Sequence, residues 1–228
     1  MSRAAALLIF AKVPRPGVVK TRLVPPLTPD AAAALSDAFL RDALDAWTRP
    51  DVFGLGAPVA VRLYLDGEAA PDGLPLNGAT LHAQRGDGLG ARMLRAFVEA
   101  FAAGFERVVI VGTDHPTLPV AFVGEAFRAL AAPFTCVLGP SDDGGYYLLG
   151  LNELAPALFE GMTYSHAAVF DETLARALEA GLQPVLLPPW YDVDTPEALR
   201  RLLGEAEDDV PPRTRAALAR LRKHPGLT

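Results

Sequence analysis

Four short stretches of this chain carry residues whose types and spacing could do chemistry. The first, KVPRPGVVKTRL, places Lys12, Arg15, Lys20 and Arg22 within eleven positions, and Pro14, Pro16 and Gly17 fix its path. Guanidinium forks and ammonium charges suit phosphate oxygens. The alternative is a solvated basic loop. The segment is not a P-loop, because G-x-x-x-x-G-K-[ST] is absent. The second stretch, VVIVGTDHP, runs a β-branched apolar segment into Asp114 and His115. A carboxylate there is a natural ligand for a hard cation, since Mg²⁺ takes one or two carboxylates together with phosphate oxygens. Asp114 could instead cap the turn before Pro116. A lone histidine beside a proline reads as a turn residue, so His115 is left out of the metal site.

The third stretch, YDVDTPEALRRLL, carries Asp192 and Asp194. Alternation along an extended backbone puts both on one side, where one could complete a metal site with Asp114. Thr195 already supplies the cap for the following helix. The fourth is GPSDDGGYYLLGL. Asp142 and Asp143 could hold a polyhydroxy acceptor or act as base, with Gly144 and Gly145 allowing close approach. The same letters also read as a hairpin turn. Asp143 is expected to face the cleft and Asp142 to face solvent. GDGLGA matches the dinucleotide fingerprint G-x-G-x-x-A at Gly86, Gly88 and Ala91, but a strong strand should precede it, and TLHAQR is weak.

The elements that must position these groups alternate. Strands are expected at Ala4–Phe10, Val59–Leu65, Thr80–Gln84, Arg107–Val111, Phe134–Leu138, Tyr146–Leu151 and Pro184–Leu187. Helices should open at Thr28-Pro29-Asp30, at Gly86-Asp87-Gly88, at Val120, at Phe170, at Thr195-Pro196-Glu197 and over residues 213–223. Thr28 and Thr195 are hydroxyl caps with proline in the first turn. Leu35, Phe39, Ala43 and Trp47 recur at helical spacing, as do Leu89, Met93, Phe97 and Ala100. Strands alternating with helices imply an α/β domain with a mostly parallel central sheet and helices on both faces. Ligands then sit outside the carboxyl ends of the strands. Lys12–Arg22, Asp114 and Asp192–Asp194 all follow such ends. The SDDGGYY loop follows a strand expected to lie beside the Asp114 strand.

The 228 residues suit a single domain, 1–228, with no composition shift to mark a boundary. A net charge of −6 without a long basic run argues against a nucleic-acid or anionic-membrane surface. No run approaches the ~18 apolar residues of a membrane span. The apolar stretch 4–11 stops at Lys12 without a small-x-small cleavage site, so it is expected to be a first strand. Cys136 stands alone, which leaves no disulfide framework and no cysteine metal site, and a cytoplasmic protein is expected. The sequence leaves homo-oligomer formation open.

Five motifs occur in order: K-x-P-x-P-G-x-x-K-T-R-L, G-x-x-L-G-x-R-M, G-T-D-x-P, G-P-x-x-D-G-G-Y-Y-L-x-G-L and D-V-D-T-P-E. Together, over about residues 4–203, they resemble a bacterial group described as nucleotide-diphospho-sugar transferases or as arsenosugar-type glycosyltransferases. That group resembles the GT-A superfamily, which also holds the molybdenum-cofactor and 2-phospho-lactate guanylyltransferases. The resemblance implies a single-domain GT-A fold. It implies that the first loop, with Lys12, Gly17, Lys20 and Arg22, grips phosphates, and that Gln84 and Gly88 contact the nucleotide base. It further implies that Asp114, with Asp194 or Asp192, holds Mg²⁺ or Mn²⁺, and that Asp143, Gly144 and Gly145 meet the acceptor. Asp114 and Asp143 would then be the catalytic pair. Three departures stand out. His115 stands where the group often has cysteine, Tyr164-Ser165-His166 where it often has Trp-Ser-Thr, and Ala198 where a second acid is common.

The implied reaction is glycosyl transfer from a nucleotide-sugar to a small acceptor. Nucleotidyl transfer from an NTP to a phosphorylated small molecule, releasing pyrophosphate, is the alternative. A third reading is a catalytically silent nucleotide-binding protein.

Overall fold

In the computed structural model, residues 4–67 and 69–221 are described. A seven-stranded sheet holds β1 (Ala5–Lys12), β2 (Val59–Asp66), β3 (Thr80–Ala83), β4 (Arg107–Gly112), β5 (Thr135–Pro140), β6 (Tyr146–Leu151) and β7 (Gln183–Leu186) in the order β3-β2-β1-β4-β6-β5-β7. Every neighbouring pair is parallel except those of β6, which runs antiparallel to both β4 and β5. The expected mostly parallel sheet is therefore present, with one correction. The SDDGGYY loop does not leave a strand adjacent to β4, because β6 inserts between them. A tight turn can join β5 only to an antiparallel partner, and that partner takes the place beside β4.

Helices α1 (Pro29–Trp47), α2 (Gly88–Ala102), α3 (Val120–Ala129), α4 (Val169–Glu179), α5 (Pro196–Leu203) and α6 (Pro212–Leu221) flank the sheet. β1 is buried along seven of its eight residues because both faces are covered. Leu7 and Ile9 meet the Leu40–Leu44 part of α1 together with Val123 and Phe127 of α3. Ala6, Leu8 and Phe10 meet Met93, Phe97 and Ala100 of α2. A third apolar cluster joins Leu35 and Phe39 of α1 to Leu199 and Leu202 of α5, Leu218 of α6, and Leu23 and Val193 from the loops. Thr28 Oγ1 accepts from Ala31 N at 3.2 Å and Thr195 Oγ1 from Ala198 N at 3.3 Å, so both expected caps form. Leu89 departs from the expected apolar stripe and is exposed. It sits in the first turn of α2, at the edge of the sheet. The last expected helix begins at Pro212, and its residues 222–223 lie outside the described ones. Phe134, expected inside β5, instead adopts a left-handed turn conformation before it. Among the described residues no helix is long and apolar enough to cross a membrane.

Asp42, buried in the middle of α1, ties α6 to the domain. Its carboxylate accepts from Arg213 N at 3.1 Å, Thr214 N at 2.7 Å and Thr214 Oγ1 at 2.8 Å. These are the orphan donors at the start of α6, and a buried anion satisfies them. Asp42→Ala leaves them without a partner and should lower the unfolding free energy by about 2–3 kcal/mol. Urea denaturation checks this, and an unchanged midpoint would show that α6 docks without the cap.

Candidate nucleotide and phosphate site

The carboxyl ends of β1, β2, β4 and β5 meet the start of β6 along one edge. β4 stops at Gly112, and the turn behind it buries Thr113 and His115 and leaves Asp114 between them. His115 Nδ1 lies 3.0 Å from the Tyr191 carbonyl and its ring meets Tyr147 edge-on. It is a packing residue, as expected for a histidine in that turn. Val193 N donates to the Asp114 carbonyl at 2.9 Å. The D-V-D segment is thus stitched to the Asp114 turn, and Val193 is anchored in the third apolar cluster.

The first loop supplies the group that joins them. Gly17 turns the chain with φ +76, and a Cβ there would meet open space. Lys20 follows in a left-handed conformation, φ 51 and ψ 34, before the 3₁₀ turn Thr21–Leu23. Its side chain is only 3% exposed. Its Nζ donates to Asp114 Oδ1 and, at 2.8 Å, to Asp194 Oδ1, and lies 5.3 Å from the centre of the Phe39 ring. Lys20 was expected among the free phosphate-binding cations. In this structure it is engaged by two carboxylates instead. The physical reason is burial: an ammonium out of water requires anionic partners, and two lie at the adjacent strand end. Burial would lower the Lys20 pKa, and Asp114 and Asp194 outweigh it and hold it above the usual lysine value. Burial would likewise raise the Asp114 carboxyl, but Lys20, with help from His115 and Lys12, holds it below its usual value.

Asp192 stands apart from that pair. Its Oδ1 accepts from Ser141 Oγ at 3.3 Å. Burial raises its pKa above the ordinary carboxylate value, and the charges of Asp143 and Asp194 raise it further. Among the described residues, no three His, Cys, Asp or Glu side chains gather as a ready metal cage. The expected set therefore divides: Asp114 and Asp194 share a cation position, while Asp192 faces Ser141 and Asp143.

The β5–β6 turn is the hairpin that its sequence offered as one of two readings. Asp143 Oδ1 accepts from Gly145 N at 2.9 Å, closing the turn, and its charge also acts on Asp192. Asp142 is turned outward to Arg201 at 3.0 Å. Gly144 needs its missing side chain for a different reason than expected. At φ +88, a Cβ would collide with the Ala167 carbonyl. Its neighbour is therefore the chain's own 163–168 segment, not a ligand.

The glycines of GDGLGA likewise separate. Gly86 packs on Ala91, and a Cβ on Gly90 would stand 2.7 Å from the Tyr164 ring. Only Gly88, with φ +85, borders open space. Gln84 ties the strand ends, its amide donating to the Ala11 carbonyl at 3.0 Å and the Tyr64 carbonyl at 3.1 Å. What it can still offer a base is Oε1. The side chains of Lys12, Arg15 and Arg22 are exposed and make no hydrogen bond or ion pair among the described residues. Ser141, which holds Asp192, and the packing of Tyr164 on Gly90 were not foreseen from the sequence. Tyr164 lies in the stretch that departs from Trp-Ser-Thr, which was the signal available.

Residues 56–166 match the family of uncharacterised proteins conserved in bacteria called DUF2064. A candidate nucleotide-diphospho-sugar transferase from Desulfovibrio desulfuricans G20 is 31% identical, with 97% of this chain and 96% of that chain covered and a TM-score of 0.83. The chain belongs to this bacterial family. More distant structures share the fold. A cytidylyltransferase from Leptospira borgpetersenii is 13% identical with a TM-score of 0.56, covering 99% of this chain and 97% of that one. A Mycobacterium tuberculosis H37Rv protein in complex with manganese is 17% identical with a TM-score of 0.50, covering 90% and 100%. None of the curated proteins matches the chain. The fold is thus that of the nucleotide-diphospho-sugar transferases, as the motifs implied. The order in the sheet also removes the dinucleotide reading of GDGLGA, which follows the short edge strand β3.

The raised Asp192 carboxyl has a pH consequence. The folded state holds this proton more tightly than the unfolded state. Its contribution is therefore neutral to stability below the ordinary carboxylate pKa, and stability is lost as pH rises through the raised value. Asp192→Asn should match wild type at about pH 3, where the side chain is protonated in both states, and be the more stable protein at neutral pH. Paired thermal melts across pH check this. A variant less stable at neutral pH would mean that the Ser141 contact outweighs the charge repulsion.

Proposed function

We propose that this family member is a metal-dependent transferase acting on a nucleotide donor, and that it moves a glycosyl group from an NDP-sugar to a small acceptor. The observation that carries the reading is the meeting of Asp114 and Asp194 around one cation position at the mouth of the phosphate loop. The donor set fits Mg²⁺ or Mn²⁺: two carboxylates on hard oxygens, each partly open to solvent at 45% and 35%, with a lysine ammonium already standing between them as a substitute cation. The manganese-bound neighbour shares only the fold, so the assignment rests on this donor set. When bound, the cation would neutralise charge on the leaving phosphate.

The chain's own residues do the rest. Lys12 at the end of β1, and Arg15 and Arg22 in the loop, are unpaired cations available to diphosphate oxygens. Gly88 and the free Oε1 of Gln84 leave room and an acceptor for the base. On the far side, Asp143 and Asp192 provide carboxylates for acceptor hydroxyls. Asp192, whose carboxyl is raised by burial and by the charges of Asp143 and Asp194, is the group proposed to take the acceptor proton.

Nucleotidyl transfer is favoured by one specific feature: three unpaired cations exceed what a diphosphate requires and suit a triphosphate. The two reactions differ in product. Incubation with a panel of NDP-sugars and NTPs, with Mn²⁺, should release free NDP under the proposed reaction. Pyrophosphate release would establish the nucleotidyl reading, and turnover of neither, with nucleotide bound, would leave a silent binding protein. Asp114→Asn should abolish the Mn²⁺-dependent part of nucleotide binding, and it should also lower the melting temperature of the free protein, because buried Lys20 loses one of its two anions. A full Mn²⁺-dependent thermal shift in that variant would remove the cation from Asp114.

Phosphate contacts have a graded signature. Lys12→Ala and Arg22→Ala should each weaken binding by about tenfold or more, from about 1.5–3 kcal/mol per charge-assisted bond, with a larger loss for triphosphates than for monophosphates. Calorimetric titration measures both, and equal losses would assign these residues to loop structure.

A further inference from the structure

Lys20 is buried, left-handed and held by both aspartates that the proposed function gives to the cation. A cation site and a cation are thus built from the same chain, and they overlap. The ammonium uses Oδ1 of Asp114 and Oδ1 of Asp194 from the inner side. Its side chain is 3% exposed, while the carboxylates are 45% and 35% exposed. The carboxylates are therefore reachable from solvent and the ammonium is not. The non-glycine left-handed backbone at Lys20 is an uncommon conformation, and such outliers persist where surrounding structure holds them. Here Leu23, buried in the third apolar cluster three residues on, anchors the turn and aims the side chain inward.

We propose that Lys20 is a resident counter-cation that contends with the divalent ion for Asp114 and Asp194, and that donor phosphate releases it. The inference rests on the metal-dependent reading above. Its physical basis is charge balance. Without nucleotide, a divalent ion approaching the pair meets an ammonium at close range. If it displaces that ammonium, it leaves a charged lysine without an anion in a buried position. Either way the divalent ion binds the free protein weakly. Phosphate oxygens at the same edge supply the anion that the displaced ammonium requires. Metal and donor therefore bind with positive coupling, and linkage makes the coupling reciprocal. Lys20 keeps the site electrically balanced at rest, and it becomes a phosphate ligand only in the loaded state. That reconciles its sequence motif with its place in the structure.

The counter-cation role makes an uncommon forecast: removing a positive charge should tighten cation binding. Lys20→Met keeps the apolar stem and deletes the ammonium. Mn²⁺ affinity of the nucleotide-free protein, measured by titration calorimetry, should rise by about tenfold or more in the variant. The wild-type melting temperature should respond weakly to Mn²⁺ alone, whereas the variant's should recover strongly, since Mn²⁺ replaces the lost partner of two carboxylates. A second measurement needs no variant. At a buffered free Mn²⁺ concentration, inorganic pyrophosphate should raise wild-type Mn²⁺ affinity by about fivefold or more, and in Lys20→Met this factor should fall toward one. Equal Mn²⁺ affinity in the two proteins, or no pyrophosphate effect in wild type, would overturn the counter-cation role while leaving a metal site in place. If neither protein binds Mn²⁺ under any condition, the metal-dependent reading falls and this inference falls with it. If Lys20→Met fails to fold without metal, the same titrations on Lys20→Gln decide, because that side chain keeps a donor toward the carboxylates without the charge: unchanged Mn²⁺ affinity and an unchanged pyrophosphate factor would overturn the role.

Discussion

The arrangement depends on one buried ammonium shared by two carboxylates. Lys20 comes from the loop after β1, Asp114 from the turn after β4 and Asp194 from the segment before α5. These three pieces lie 94 and 174 residues apart along the chain, and this ion triad joins their side chains. Backbone hydrogen bonds from Val193 to Asp114 and the packing of Leu23 and Val193 in one apolar cluster support it. A buried ion group of this kind is weak evidence of stability for its own sake, because desolvation offsets much of the attraction. Its place at the ligand edge of the sheet, with two half-open carboxylates, is better explained by what it must hold or exchange.

The topology then sets the size of the cleft. β6 lies between β4 and β5, so the Asp143 turn, which joins β5 to β6, starts two strand spacings from β4, roughly 10 Å, and ends one spacing from it, roughly 5 Å. The cations Lys12, Arg15 and Arg22 stand with Asp114 on one side, which the proposed function gives to the phosphates, and the carboxylates Asp143 and Asp192 stand on the other. A diphosphate on one side and a hydroxyl-bearing acceptor on the other suit such a division. The 163–168 segment packs against both sides, with Ala167 against Gly144 of the β5–β6 turn and Tyr164 against Gly90 at the start of α2.

Much of this was legible in the residues. The burial of β1 on both faces up to Lys12 follows from its unbroken apolar run, and the caps at Thr28 and Thr195 from a hydroxyl followed by proline. That Asp114 would meet a carboxylate of the D-V-D segment was readable because both follow strand ends, but the choice of Asp194 over Asp192 was not. What could not be read was which charges neutralise which. Lys20 looks like Lys12 in sequence, and only the inward turn at Lys20, fixed by the burial of Leu23, separates a buried lysine from an exposed one. The place of β6 was equally hidden, because strand order is decided by long-range pairing rather than by local pattern. Gly144 was legible as a glycine that must be glycine, but the neighbour enforcing it, Ala167, comes from 23 positions later. Leu89 failed the helical stripe because periodicity says nothing about where a covering element stops.

In the proposed function a cation is held between Asp114 and Asp194 at the mouth of a nucleotide site. A crystal grown with Mn²⁺ and a nucleoside diphosphate, with data collected at the manganese absorption edge, tests it most directly. The predicted result is an anomalous peak bridging the Asp114 and Asp194 carboxylates, with the Lys20 ammonium moved onto a phosphate oxygen. Nucleotide bound at this edge with Lys20 still bridging both aspartates, and the anomalous peak absent or elsewhere, would contradict it.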